Sequence, residues 1–342
     1  MNSDKNRVIF FKEPFLSKLS KALKELKLKE RFRKGEKIAL KCHMGEYENL
    51  YHIRPQVVGK VADELIKIKA EPFVIDSTTL YEGSRYTIEG YLDTARRNGF
   101  TEETICCPVI ISENHVTASG KWIPKVEVLK EIYEADGMIV LSHGKAHNCA
   151  GFGGAIKNLG MGAVSKKTKK FIHRKAGPRF IGECNGCGEC KAVCPTGVVS
   201  IEEGKAEFEE EGCFGCEKCI MRCPQKALTN RVAHFNELLA DAANASIGKM
   251  NKEKILCVNA LLGINKLCDC VKSSGMPQML DIGMLASDNP VAIDNASIDL
   301  INKQFGRDYA RHLGDTDPMI QVEVAEELGM GTKEYELKGL RE

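Results

Sequence analysis

Short β-branched or apolar runs alternate along this chain with longer stretches in which apolar residues recur every three or four positions. Runs at 37–42, 72–76, 109–112, 137–141 and 254–259 predict strands. In 55–69, Val57, Val61, Leu65 and Ile68 fall at helical spacing, and 124–135 and 231–247 follow the same pattern. Strands alternating with helices argue for an α/β fold, a mostly parallel sheet (or sheets) covered by helices. One stretch breaks the rhythm. From about 178 to 230 cysteine is dense, and 198–208 alternates apolar and polar residues about Glu203-Gly204-Lys205, which predicts a hairpin.

With 342 residues and 43% hydrophobic content, the chain can bury a sizeable core and hold more than one domain. Its formal net charge of +2 gives no sign of a nucleic-acid-binding surface. No apolar run approaches the ~18 residues of a membrane span, and Met1–Lys5 lacks a charged-then-apolar leader pattern, so a cytoplasmic setting without membrane contact is expected. Lys166-Lys167-Thr168-Lys169-Lys170 reads as a solvated basic face. Six glutamates between 202 and 211 face Lys205 alone, and negative charge there would lower the potential of a nearby redox centre.

Eight of the fifteen cysteines form two copies of C-x2-C-x2-C-x3-C-P, and each member of the second copy lies 29 positions after its counterpart (Cys184 to Cys213, Pro195 to Pro224). Two intervening residues let the backbone curl around one face of a cube with its amides aimed at sulfur. The fourth cysteine is expected to open a short helix, its proline suiting a first helical position. Zinc sites pair C-x2-C motifs across longer gaps and need four ligands, not eight. The run resembles that of bacterial two-cluster ferredoxins, in which three cysteines hold one cube and the fourth crosses to the other. The resemblance assigns Cys184, Cys187, Cys190 and Cys223 to one [4Fe–4S] cluster, and Cys213, Cys216, Cys219 and Cys194 to a second. The chain then divides into an α/β body over 1–177, a ferredoxin-like module over 178–230, and the rest of the body over 231–342. Exposed cubes oxidise easily, which points to an anaerobe.

The strand at 137–141 runs into a glycine-rich exit that holds His143, Lys145, His147, Gly153, Gly154 and Lys157. Ligands of open α/β sheets bind beyond the carboxyl ends of strands. A helix starting near Gly154 would aim free N–H groups outward. Lys145 and Lys157 suit an anionic ligand such as a phosphate or carboxylate, and His143 and His147 can move protons or bind metal. Lys145, His147 and Lys157 are the catalytic candidates; His143, Lys145, Gly153, Gly154 and Lys157 are the cofactor-binding ones. No nucleotide fingerprint is present.

Cys268-Asp269-Cys270 can clamp a soft metal as a further site, or exchange electrons or sulfur with a substrate. Cys257 sits within a strand pattern as a core residue, and Cys42, Cys106, Cys107 and Cys149 read as structural. A helix is expected over 291–303, with Asp288 as its cap, Pro290 in its first turn and Asp294 on a solvated face.

Lys41-Cys42-His43-Met44-Gly45-Glu46, the 143–162 run, the eight-cysteine module, Cys268-Asp269-Cys270 and the 281–294 segment together resemble the iron–sulfur proteins of the domain of unknown function 362 (DUF362) family, from about 37 to 305. That resemblance implies two [4Fe–4S] clusters inserted in an α/β body and implies no reaction. The stretch 151–162 is also similar to a lysine-bearing turn of nickel-pincer lactate racemases. The leading expectation is an electron-transfer protein or oxidoreductase subunit that links a ferredoxin or flavoprotein carrier to the strand exit. The alternatives are a cofactor- or metal-binding enzyme of another class (sulfur handling, cofactor maturation or racemase-like) with accessory clusters, and a scaffold that docks partners. A homo-oligomer fits any of them.

Overall fold

The computed structural model describes residues 6–313 and 316–340; Met1–Lys5, whose sequence lacks a leader pattern, lie outside them. Eight strands form one sheet in the order Glu336–Gly339, Arg7–Phe11, Gly283–Ser287, Ile255–Leu261, Gly137–His143, Lys37–Cys42, Glu71–Ser77 and Val109–Ser112. The last five pair in parallel. Gly283–Ser287 runs antiparallel to both of its neighbours. Strands from before and after the cysteine-rich segment therefore build a single body.

Its central strands read as continuous apolar runs because helices cover both faces. Every residue of Ile255–Leu261 is buried, Cys257 among them. One face carries Phe15–Glu25, Pro55–Lys67 and Ile88–Arg97. The other carries Ala155–Gly162, Phe235–Ile247, Pro290–Phe305 and Met319–Glu327. Phe235–Ile247 is buried on nearly all sides because it lies between neighbours. At Gly160 the Ala155–Gly162 helix meets it backbone to backbone: a Cβ there would sit 2.4 Å from the Leu239 carbonyl oxygen.

Four local expectations change. Within 124–135, Val126–Leu129 is a strand and only Lys130–Tyr133 is helical; the alternation Val126, Glu127, Val128 suits a half-buried strand. The cap of Pro290–Phe305 is Asn289, whose side chain accepts from the Val291 and Ala292 N–H groups (3.0 Å each), while Asp288 pairs with Arg31. The basic run opens the helix Lys166–Lys175, and Lys169 turns inward rather than to solvent. In the cysteine-rich segment the short helices Glu189–Ala192 and Lys218–Arg222 precede the fourth cysteines, and turns follow them.

That segment leaves and rejoins the body through the antiparallel pair Pro178–Phe180 and Leu228–Asn230. The predicted hairpin is present as Val199–Glu202 against Lys205–Phe208. Two contacts fasten the module to the body. Buried Glu217 accepts from Asn230 Nδ2 (2.6 Å) and the Phe235 N–H (2.8 Å). Glu210 and Glu211 pair with Lys175 (2.8 Å), Lys170 (2.5 Å) and Arg174. The acidic partner of the basic run is thus the chain itself. No helix among the described residues is long and apolar enough to cross a membrane.

Candidate functional site

The parallel strands deliver their carboxyl ends to a cavity of about 360 Å³, bounded on its far side by the cysteine-rich module at 211–214. His43 follows the strand Lys37–Cys42, Asp76 and Ser77 end Glu71–Ser77, His143 ends Gly137–His143, and Lys145 and His147 follow it. The loop after Ile255–Leu261 supplies Cys268, Asp269 and Cys270. This is where an open α/β sheet places its ligand. Four lysines and Arg85 line the cavity against Asp76, Asp269 and Glu211, which leaves an excess of positive charge.

Cys268, Cys270 and His147 converge on this wall: one ligand atom from each lies within 4.8 Å of the others, and all three residues are partly exposed. The side chain that joins the C-x-C pair is His147, and Cys257 lies in the sheet core as expected. The Cys270 N–H donates to Cys268 Sγ (3.4 Å). The thiol of Cys270 beside it, opposed by burial but aided by the Lys157 ammonium and His147, holds Cys268 well below the usual thiol range. Cys270, the donor of the pair, is pushed up. Burial, then Lys157, lowers the pKa of His147. Its Nδ1 accepts from the Cys149 and Ala150 N–H groups (3.2 Å each).

Asp269 anchors the loop between the two thiols. It pairs with Lys145 Nζ (2.5 Å) and His143 Nδ1 (2.8 Å), and its backbone carbonyl accepts from the Glu46 N–H (2.9 Å). Burial opposes ionisation, but His143 and Lys145 hold this carboxyl well below the usual range. His143 Nε2 also meets the Leu262 carbonyl (2.5 Å), so both of its ring nitrogens are engaged. Lys145 donates to Asn265 Oδ1 (2.7 Å). These two candidates thus orient the loop and have no free group in the cavity.

Sequence reasoning missed two further clusters. Arg85 is buried between Glu46 (3.2 Å), His43 Nε2 (2.6 Å) and the Tyr81 hydroxyl (2.5 Å), and Tyr81 in turn donates to the Cys270 carbonyl (3.0 Å). Lys41, Asp76 and Lys169 form the second. Lys41 Nζ lies 2.9 Å from Asp76 and donates to Asn158 Oδ1 (2.7 Å), while the Tyr91 hydroxyl donates to Asp76 (2.5 Å). Lys169 donates to Ser77 Oγ (2.7 Å) and the Thr78 carbonyl, and burial lowers its pKa to about 7 despite Asp76 nearby. A lysine in a strand interior, as at Lys41, is the signal that could have exposed this cluster.

The glycine-rich run is placed as expected but is wired differently. The Ala155 and Ile156 N–H groups do not point at a ligand: they donate to Asp294 at 2.8 and 2.9 Å. Asp294 is fully buried rather than on a solvated face, and it also accepts from Asn259 Nδ2 (2.8 Å). Gly154 is what lets the carboxylate approach, since a Cβ would sit 2.3 Å from Asp294 Oδ1. Gly153, Gly154 and Lys157 line the cavity, and Lys157 has no hydrogen-bond or ion-pair partner among the described residues.

Two smaller cavities lie in the module. Cys184, Cys187, Cys190 and Cys223 line one, with Gly186 and Gly188 beside them. Cys194, Cys213, Cys216 and Cys219 line the other, with Gly215. Four thiols around one apolar pocket form the donor set of a cubic iron–sulfur cluster, so the residues present fit such a group. Cys213 and Phe214 border both the second of these cavities and the large cavity of the body. His173, which lines the large cavity, has its Nδ1 2.8 Å from the Phe214 carbonyl.

Fold and site define an α/β protein with an inserted ferredoxin-like module. Residues 38–299 match the family model described as domain of unknown function (DUF362), and the chain belongs to that family. Shorter segments are similar to iron–sulfur and electron-transport proteins. Over 48 residues the chain is 42% identical to a subunit of the ion-translocating oxidoreductase complex of Methanosarcina acetivorans, covering 14% of this chain and 18% of that protein. Over 78 residues it is 35% identical to a subunit of the Na(+)-translocating ferredoxin:NAD(+) oxidoreductase complex of Acetobacterium woodii, 22% of each. The chain therefore spans about a fifth of the length of these curated relatives. The lactate racemase apoprotein of Thermoanaerobacterium thermosaccharolyticum superposes with a TM-score of 0.44 at 12% identity, over 88% of this chain and 58% of that one.

Proposed function

We propose that this protein binds two [4Fe–4S] clusters and is an oxidoreductase whose substrate site is the cavity at the carboxyl edge of the sheet. Cys184, Cys187, Cys190 and Cys223 hold one cluster; Cys194, Cys213, Cys216 and Cys219 hold the other. The convergence of each set on its own cavity supports this crossed pairing. When bound, the clusters supply one-electron transfer. The first cavity lies beside exposed Cys187 and Phe180, which suits docking of a ferredoxin or flavoprotein carrier. Thiolate ligands in this number need a reducing compartment, and the cytoplasm of an oxygen-poor cell is the proposed setting.

One observation carries the reading: Cys213 and Phe214 line the same cavity as His147, Lys157, Cys268 and Cys270. A ligand in that cavity is then a neighbour of the second cysteine set and not of the first. The excess of cations selects an anionic substrate, and Lys157 is the one cavity lysine without a partner group among the described residues. The test is spectroscopic. In the dithionite-reduced protein, small anions that fill the cavity should shift the paramagnetic signal of one cluster and leave the other unmoved. Signals indifferent to every cavity ligand, or shifted equally, would overturn the assignment.

A further inference from the structure

Two thiols, an imidazole and an ammonium without a partner among the described residues meet at the edge of the cavity, and the chain's known relationships assign them no role. We propose that Cys268 and Cys270 form a dithiol–disulfide couple that reduces a carboxylate-bearing disulfide held in this cavity, with Cys268 attacking and Cys270 resolving. The inference rests on the oxidoreductase reading only for the source of electrons.

Geometry carries it. The two sulfurs and a ring nitrogen of His147 lie within 4.8 Å of one another, so the thiols can join without a large movement of the chain. The thiolate is the attacking species in disulfide exchange, and the Cys270 N–H donates to Cys268 Sγ (3.4 Å) with the Cys270 sulfur and the His147 ring close by. A soft metal would use the same atoms, and the imidazole argues against it. With Nδ1 accepting two backbone N–H groups, the ring proton of neutral His147 must sit on Nε2. A ring nitrogen of His147 lies within 4.8 Å of Cys268 Sγ. A metal-ligating histidine instead donates its second nitrogen to an acceptor. The protonated nitrogen of neutral His147 can therefore offer a hydrogen bond and is not free to ligate a metal. Lys157 supplies the charge that an anionic tail would meet, since Asp269, Asp76 and Glu46 already pair with Lys145, Lys41 and Arg85.

The step balances. Cys268 gives up its thiol proton to solvent and its sulfur bonds to one sulfur of R–S–S–R; the S–S bond of the substrate breaks, and RS⁻ leaves and takes a proton from solvent. Cys270 then loses its proton and bonds to Cys268 sulfur, releasing the second RS⁻. The substrate disulfide gains two electrons and two protons, and the cysteine pair is oxidised to a disulfide. Two equivalents of a one-electron carrier, with two protons from solvent, restore the dithiol.

The test uses the full, iron-loaded chain under argon at about pH 6, with dithiobis(nitrobenzoate), a dicarboxylate disulfide, as probe. In Cys270→Ser, peptide mass spectrometry should find a stable mixed disulfide on Cys268, formed about tenfold faster than on exposed Cys106. Wild type should instead yield a Cys268–Cys270 disulfide peptide, and Cys268→Ser neither product. Lys157→Ala should slow trapping of this dianion about fivefold and leave trapping of neutral dipyridyl disulfide unchanged. Trapping on Cys268 no faster than on Cys106 would overturn the proposal. So would a stoichiometric metal other than iron that is lost in Cys268→Ser. Iron content and re-reduction of the disulfide by a reduced ferredoxin are read on the same samples. Trapping without re-reduction keeps the dithiol and removes the electron relay; an intact relay without trapping does the reverse.

Discussion

Replacing Lys169 with Met tests whether the cavity floor holds a cation against the cost of burying it. Lys169 lies under Ser77 and Thr78 and is buried. Burial, reinforced by Lys41 and Arg85 and opposed by Asp76, brings its pKa from an ordinary 10.5 to about 7. The unfolded chain keeps this proton up to its ordinary value and the folded chain does not, so stability rises with pH across that window. A shift of roughly 3.5 units corresponds to about 5 kcal/mol over the full range, of which about 2 kcal/mol is gained between pH 7 and 9. Met removes the charge and the slope together, and leaves Ser77 and Thr78 short of a donor at a cost of about 1–2 kcal/mol. Urea unfolding of both proteins under argon, followed by circular dichroism at several pH values, gives the difference and cancels groups common to both. Lys169→Met should be the more stable near pH 7, its advantage shrinking by about 2 kcal/mol by pH 9. Parallel curves, or an advantage that grows with pH, would refute the reasoning.

Three further outcomes follow from the same contacts. Cys194→Ala should cost the iron held by Cys213, Cys216 and Cys219, not the cube nearest in sequence, as read by iron analysis and paramagnetic resonance. Asp294→Ala strands the Ala155, Ile156 and Asn259 donors and should lower stability by about 3 kcal/mol. Because burial raises the pKa of Asp294 to about 6, its proton-linked contribution is full below about pH 3.8 and fades as pH rises through 6. That slope should vanish from the variant's denaturation curves. Gly160→Val, whose Cβ would meet the Leu239 carbonyl oxygen at 2.4 Å, must push the helices 155–162 and 235–247 away from each other and should cost about 2–3 kcal/mol by the same assay.

The body was legible where burial imposes a simple period. The parallel strands 37–42 and 109–112 and the helices about 55–69 and 231–247 were read correctly because their apolar residues repeat at strand or helix spacing. Arg7–Phe11 and Gly283–Ser287 went unread: the first is a five-residue run near the start of the chain, and the second, Gly-Met-Leu-Ala-Ser, lacks β-branched residues. Val126–Leu129 was drawn into a helix by apolar residues that also fit its period. The cysteine spacing carried the module because a repeated ligand run is a local signal. The cavity is not local. His147 and Cys268 lie far apart in the chain and meet only through the pairing of strands 137–143 and 255–261. Arg85 and Tyr81 sit in a loop with no period at all, and Asp294 looked solvated because only the fold shows that helix 155–162 starts on it.

The central claim is that eight thiolates hold two iron–sulfur cubes, one of which borders the cavity. Iron and sulfide analysis of anaerobically purified protein, combined with a reductive titration, tests it most directly. The account predicts about eight irons per chain and uptake of about two electrons, one for each cube. Folded protein that is colourless and free of iron, or that loads only one cube when all eight cysteines are present, would contradict it.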